Sequence, residues 1–364
     1  MNTTAISSKW MIYGATGYTG KLIAEEAVRR GHHPIIAGRD AEKVSHLAHQ
    51  MGLEWTAFGI NDNETLCRNV EGVDLVLNTA SPFAETGSPL MDACISARCH
   101  YLDISNEISL LQQAQTRQQR ALAQQIAIIP GVGFGTVASN SLASYVCKQV
   151  ADPVSLEIAI SPYVAHKSVG ATRSTLETIA RGGYVRRNSI VVATPFGAGA
   201  RMVRFGDGDR CVVPVPSGDL QAAAMATGVA NITVYVTSPF SPVLARLVLP
   251  YVQKLLSWER LRQRLVRVAE QRILKTTTKS HRDAKEATGH SWLWARAAND
   301  SGRYAESWLQ TGEGYAFTAS TAILAVEWVL RSLPTGVFTA ATFGDDFVLQ
   351  VPGVRRYDGA LEYC

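Results

Sequence analysis

With 364 residues, 46% of them hydrophobic and 18% charged, the chain has enough apolar material for two domains with separate cores. Its net charge of +4 is spread along the sequence, with Arg260 to Arg272 as the exception, and elsewhere there is no dense Lys/Arg stripe of the kind a nucleic-acid binder carries. The six cysteines lie far apart with no paired CxxC motifs, so no metal site is expected and buried thiols in a reducing compartment are; the short polar start, Met1 to Lys9, lacks an apolar signal core and points to a cytoplasmic protein.

The first predicted element is an apolar strand, Met11-Ile12-Tyr13, that runs into Gly14-Ala15-Thr16-Gly17-Tyr18-Thr19-Gly20-Lys21. Gly14 allows a sharp turn, Gly17 leaves room for a pyrophosphate against the backbone, and Gly20 allows close helix–strand packing. The helix that follows presents unpaired N–H groups and the positive end of its dipole, and Thr16, Tyr18 and Thr19 add hydroxyls. Its apolar face (Leu22, Ile23, Ala27, Val28) ends at Gly31, and Pro34 to Gly38 is a second strand, so a parallel crossover unit is predicted. The spacing is GxxGxxG rather than GxGxxG, and its context reads as dinucleotide binding. Where an NAD site usually carries a carboxylate, the chain has Gly38-Arg39-Asp40. Arg39 can pair bidentately with a 2′-phosphate, so NADP (as NADPH) is the expected cofactor; the other reading leaves Arg39 in solvent and turns Asp40 to the ribose.

Alternation continues: a helix over Ala41 to Gly52, a strand over Leu53 to Phe58 closed by Asn61 and Asp62, a helix over Asn63 to Val70, and a strand over Val73 to Ala80 apolar enough to be buried on both faces. The segment Ser81 to Leu90 is predicted as a loop over the pyrophosphate and nicotinamide ribose, with Ser81, Pro82 and Phe83 as contacts. After a helix over Leu90 to Arg98, the strand from Cys99 exits through Asp103 and Glu107, a carboxylate pair that either orients substrate and relays a proton or caps the next helix. A helix over Ile108 to Gln125, a strand over Ile126 to Pro130 and a second glycine-rich end, Gly131 to Thr136, complete a domain over 1–138, with Gly131 facing the ligand edge. The fold class is α/β, a Rossmann-type doubly wound parallel sheet.

From Pro153 short alternating strands (Val154 to Ile160, Ser189 to Thr194, Arg201 to Phe205, Arg210 to Pro214, Asn231 to Thr237) predict a largely antiparallel sheet in a second α+β domain over 139–312. Thr172 and Ser174 lie in a small-residue turn before a helix over Thr175 to Arg181; they could donate to a carbonyl or cap that helix. Ser238 to Trp258 is very apolar, but Pro239, Pro242 and Pro250 argue against a spanning helix, and a buried lid or lipophilic channel is expected ahead of peripheral membrane contact. Glu259 to Arg272 is a basic amphipathic helix, ordinarily a solvated face, with an acidic partner or membrane surface left open. Lys275 to Glu286 reads as a polar loop. Ser291 to Ala298 and Arg303 to Gln310 form a hairpin whose edge or face would suit a homodimer, and Gly314 to Leu333 is helical.

Gly14 to Lys21, Ala37-Gly38-Arg39, Ser81-Pro82-Phe83 with Gly87 and Pro89-Leu90, Tyr101-Leu102-Asp103 with Glu107, Gly133-Phe134, and Ser217 to Leu220 followed by Thr227 to Ile232 together resemble the saccharopine dehydrogenase-like NADP-binding superfamily, more its trans-acting enoyl reductase branch than its lysine-pathway branch. The resemblance implies a substrate-side loop at Ser168 to Thr175 and C-terminal helices over 313–364 that return to the Rossmann domain. It also departs: Ser81 replaces a usual glycine, and Gly135 and Asn140 stand where the family often has carboxylates.

The expected activity is NADPH-dependent hydride transfer to a polarised C=C bond of a mostly apolar or carrier-bound intermediate, with Tyr18, Asp103 and Thr172, beside Ser81, as candidate catalytic donors. Two alternatives stay open. An imine reductase would draw on Arg173, Arg181, Arg186 and Arg187 for a carboxylate-rich substrate, and a non-catalytic NADP sensor or scaffold would account for the missing acids.

Overall fold

The computed structural model describes residues 8–164, 169–276 and 289–359. The chain divides into two compact units, the first made of Met1–Val137 and Phe317–Phe343, the second of Ala138–Ala316 and Gly344–Cys364.

In the first unit, strands β1 (Trp10–Tyr13), β2 (Ile35–Gly38), β3 (Trp55–Ala57), β4 (Leu75–Asn78), β5 (His100–Asp103) and β6 (Ala127–Ile129) alternate with helices α1 (Tyr18–Arg29), α2 (Ala41–Met51), α3 (Asn63–Val70), α4 (Phe83–Ala97), α5 (Ile108–Gln115) and α6 (Gln118–Ala123). Helix α7 (Phe134–Lys148) carries the chain into the second unit. Five of these strands, β1, β2, β4, β5 and β6, are buried at every position, as expected for a sheet covered on both faces. All pairings are parallel, in the order β15-β6-β5-β4-β1-β2-β3, where β15 (Gly336–Val337) comes from far down the chain. The order reverses between β1 and β4, so their carboxyl ends form the crevice where such sheets bind ligands.

In the second unit, β7 (Ser155–Ser161) precedes α8 (Val169–Arg181), then β8 (Gly183–Arg187), β9 (Ile190–Thr194), β10 (Arg201–Phe205) and β11 (Gly208–Pro214). Next come α9 (Asp219–Thr227), β12 (Asn231–Thr237), α10 (Pro242–Leu256), α11 (Glu259–Thr276), β13 (Ser291–Ala298) and β14 (Tyr304–Thr311), with β16 (Arg355–Asp358) last; α12 (Gly314–Ser332) between them belongs to the first unit from Phe317 onward. The nine-stranded sheet runs β10-β11-β12-β7-β13-β14-β16, with β8 and β9 branching from β12. Every pair is antiparallel except β7 with β12. One face gathers Phe205, Tyr235, Trp292, Trp294 and Trp308 into an aromatic core. The sheet curls enough for the Trp308 indole to donate to the Arg204 carbonyl across it at 2.8 Å, and a Cβ on Gly206 would sit 2.1 Å from the Trp292 ring. Glu157 accepts from Arg201 at 2.6 Å and from Tyr235 at 3.0 Å beside that core, and burial, reinforced by Glu157, pushes the Tyr235 phenol up to about 12.

Several expectations change. The segment Ser81 to Leu90 is mostly helix, because α4 already starts at Phe83. The single helix over 108–125 breaks at Thr116 and Arg117 into α5 and α6. Helix α8 starts at Val169 rather than Thr175 and is followed by the unforeseen strand β8. The β13–β14 hairpin is not a free edge, since β16 pairs with β14. Residues 313–364 supply strands to both sheets as well as a helix. The apolar stretch 238–258 forms α10 with exposed apolar side chains rather than a buried lid. Of the loop expected over 275–286, residues 275 and 276 close α11 and the rest lies outside the described residues.

Within the first unit, α12 is tied to the end of α1 through Glu327, whose Oε1 lies 2.9 Å from His32 Nε2 and 3.7 Å from Arg30. Burial opposes ionisation of Glu327, but the His32 hydrogen bond and the Arg30 charge win and hold its carboxyl below the usual range. Glu327→Gln removes the carboxylate that faces His32 and the more distant of the two facing Arg30, which keeps Glu26 at 2.7 Å, and should cost about 1–3 kcal/mol in urea unfolding at neutral pH. Because the folded pKa is depressed, this stabilisation is present above the unfolded pKa of about 4.3 and fades as pH falls through the lower folded value. The gap between wild type and variant should therefore narrow in acid.

Candidate functional site

Four strand ends build the site. After β1, Gly14 adopts φ +86° and donates from its N–H to the Ala37 carbonyl at 2.8 Å. A Cβ there would lie 2.7 Å from the Ala80 nitrogen, and one on Gly20 would lie 2.5 Å from the Gly14 oxygen and 2.7 Å from Thr79 Oγ1. Both glycines are therefore forced by backbone approach, which sets the start of α1 against β1 and β4. Gly17 differs. Its Cβ would meet only the Gly14 oxygen, at 3.3 Å, and it is exposed, as is Thr16. Helix α1 begins at Tyr18 with Gly17 as its cap residue and no carboxylate in its first turn, leaving an open, electropositive cradle. Tyr18 and Thr19 occupy the first two helical positions, half-buried.

At the end of β2, Asp40 caps α2 by accepting from the Lys43 N–H at 3.2 Å, and its other oxygen pairs with Lys43 Nζ at 2.7 Å. The Lys43 hydrogen bonds hold its carboxyl below the usual range. Asp40 is thus engaged locally, and Arg39 is exposed beside Tyr13, whose buried hydroxyl donates to the Phe58 carbonyl at 3.2 Å. Asp62 is likewise a cap, accepting from Glu64 at the start of α3.

At the end of β4, Asn78 is fully buried. Its Nδ2 donates to Thr86 Oγ1 and to the Tyr101 hydroxyl, both at 3.1 Å, and its Oδ1 accepts from the Ala80 N–H at 3.0 Å. The Tyr101 hydroxyl donates to Asp103 Oδ2 at 2.9 Å, and Asp103 Oδ1 accepts from the N–H groups of Ser105 and Gly131, each at 2.9 Å. Asp103 is 0% exposed. Burial raises its pKa, against the pull of these hydrogen bonds, and pushes the Tyr101 phenol well up. This chain ties together the ends of β4, β5 and β6. Two assignments made from sequence are corrected here. Asp103 is a positioning residue, because its oxygens already hold three donors inside the protein. Gly131, at φ +79°, is buried with its N–H on Asp103, so that donor is turned away from any phosphate.

Ser81 and Pro82 are exposed just past β4, and Phe83 packs on the core at the first position of α4. Thr172 lies on α8, in the second unit, and its side chain falls outside the described ones. Arg186 and Arg187 occupy successive positions of β8 and so point to opposite faces. Asn140 is fully buried, with Nδ2 3.4 Å from Ser139 Oγ, and Ser139 donates to buried Asp219 at 2.5 Å. The Asn78–Tyr101 pair went unnoticed in the sequence; the signal was a lone amide closing an otherwise apolar strand.

A parallel sheet with a glycine cradle at its reversal point defines a dinucleotide-binding protein. Residues 10–129, all within the first unit, match the saccharopine dehydrogenase NADP binding domain family. The residues of that unit suit the cofactor: an open Gly17, an uncapped helix start and an exposed Arg39 beside an engaged Asp40.

Among curated relatives, a probable mitochondrial saccharopine dehydrogenase-like oxidoreductase of Arabidopsis thaliana is 27% identical over 180 residues, covering 43% of this chain and 38% of that protein. A trans-acting enoyl reductase of Mycobacterium bovis is 29% identical over 138 residues, 36% of this chain and 33% of that protein. The chain thus matches little more than a third of the length of these relatives. Two solved structures share the fold along nearly the whole chain. Apo saccharopine dehydrogenase (L-Glu forming) from Saccharomyces cerevisiae aligns with a TM-score of 0.65 at 10% identity, covering 97% of this chain and 100% of that one. Homospermidine synthase from Legionella pneumophila in complex with NAD aligns with 0.66 at 12% identity, covering 98% and 92%.

Asp103→Ala strips acceptors from two buried N–H groups and should lower unfolding free energy by about 2–4 kcal/mol. Asp103→Asn, which keeps one acceptor oxygen, should lose less. A positioning role for Asp103 predicts that the pH profile of turnover in Asp103→Asn matches wild type.

Proposed function

We propose that this protein is an NADPH-dependent oxidoreductase that reduces a polarised C=C bond of an apolar intermediate. The observation that carries the cofactor half is the pairing of exposed Arg39 with an Asp40 already committed to Lys43: a guanidinium is left for a 2′-phosphate, and no carboxylate for the ribose diol. Bound NADPH would supply the hydride. Gly17 and the first N–H groups of α1 hold the pyrophosphate, and Arg39 holds the 2′-phosphate while shielding Tyr13. Ser81 and Tyr18, at the ends of β4 and β1, are the hydroxyls left to place a proton once Asp103 is withdrawn from that role.

The enoyl rather than imine reading is supported by the mycobacterial relative's name and by the divergent positions of Arg186 and Arg187, which suit a carboxylate-rich substrate poorly. Steady-state assays with NADPH should show turnover of an enoyl thioester. Turnover of a cyclic imine instead would move the reaction to C=N, and tight NADPH binding without turnover of either would mark a sensor.

For the cofactor, Arg39→Ala should weaken NADPH about tenfold to a hundredfold by titration calorimetry, the loss of one charge-assisted contact, with NADH affinity nearly unchanged. Equal losses for both nucleotides would overturn the assignment of Arg39.

A further inference from the structure

Helix α10 is apolar on two opposite sides. Ala245, Leu249 and Leu256 are buried, whereas Val243, Leu244, Leu247, Tyr251 and Leu255 are exposed, Tyr251 by 75%. At about 100° per residue the exposed five fall within roughly a third of the helix circumference, nearly opposite the buried three. Trp258, just past the last turn, is 67% exposed, and Leu265 and Val268 are exposed on α11. Soluble proteins seldom leave so many large apolar side chains contiguous without a use for them.

The charge around the stripe selects what covers it. Between Pro242 and Val268 stand Arg246, Lys254, Arg260, Arg262, Arg264 and Arg267 against the single carboxylate Glu259. That segment therefore outweighs the +4 of the entire chain, and the remainder is close to neutral. Lys254 sits within the arc of the stripe on a stem long enough to lift its ammonium to the rim, and Arg260, Arg264 and Arg267 are exposed on α11. Leucine and valine flanked by tyrosine and tryptophan, beneath a fringe of arginines, is the composition of a helix lying in a lipid interface with anionic headgroups. Among the described residues no helix is long and apolar enough to cross a membrane, consistent with lying on the surface.

We infer that α10 and the first turns of α11 form a docking face for a phospholipid surface carrying anionic headgroups. A second copy of this chain would have to set this cationic fringe against its own, and the near-neutral remainder has no matching acidic surplus. The inference is independent of the catalytic reading, because docking needs no turnover.

The test is co-sedimentation of the full chain with vesicles of phosphatidylcholine alone or with a quarter phosphatidylglycerol, at low and high salt. Wild type is expected to bind the anionic vesicles at least about tenfold better than the neutral ones and to release as salt rises. The Leu247→Glu/Tyr251→Glu variant should lose binding to both. Arg260→Gln/Arg264→Gln/Arg267→Gln should lose only the anionic preference, at about fivefold per cation. NADPH affinity equal to wild type verifies that each variant is folded. Quenching by brominated lipid that disappears in Trp258→Phe reads the same contact without a charge change. Equal binding to both vesicle types, unchanged binding by the Leu247→Glu/Tyr251→Glu variant, or a wild-type oligomer that this variant dissociates while vesicles bind neither form would each overturn the inference; the last would assign the face to a second copy.

Discussion

Backbone contact at the fork between β1 and β4 governs the first unit. Gly14 lies against Ala80, and Gly20 against both the Gly14 carbonyl and Thr79, at separations that no Cβ could share. This closeness puts the start of α1 over the sheet's reversal point. A methyl at either position would lift the helix and remove the cradle, whatever the side chains nearby. Gly17 is under no such constraint: a side chain there would meet only the Gly14 oxygen, and the position is open to solvent.

A second constraint holds the other strand ends in line. The relay from Asn78 through Tyr101 to Asp103 and on to the Ser105 and Gly131 N–H groups satisfies donors that would otherwise be buried and orphaned. It places carboxylate chemistry at a strand end, where sequence reasoning looks for catalysis, and turns it to architecture. The distinguishing fact is burial: an acid with no exposed surface and three donors in place has nothing left to offer a substrate.

How much of this was legible follows from the range of the interactions. The parallel sheet and the close-packing roles of Gly14 and Gly20 depend on local pattern and came through, because an apolar strand, a turn and a helix start are written in consecutive residues. Gly131 and Asp103 were misread because their partnership spans 28 positions. The start of α4 was placed too late since Ser81 to Leu90 was read as a loop over the ligand edge, yet the helix already begins at Phe83 and holds Pro89 inside it. The stretch 238–258 was judged by mean hydropathy, which says that residues are apolar but not which way they face; α10 shows the two sides separately. Strand β8 was lost between a helix and a glycine pair, Gly182-Gly183, that reads as a plain turn.

Strands β15 and β16 come from the final thirty residues, and each completes a different sheet. The first unit is also interrupted by residues 138–316 and regains its chain only at Phe317. On a ribosome, β6 would therefore emerge as an unpaired border and wait roughly ten to forty seconds for the rest of its unit to be translated. Nascent chains of this protein carry an open strand through that interval, the state in which holding chaperones have most to grip.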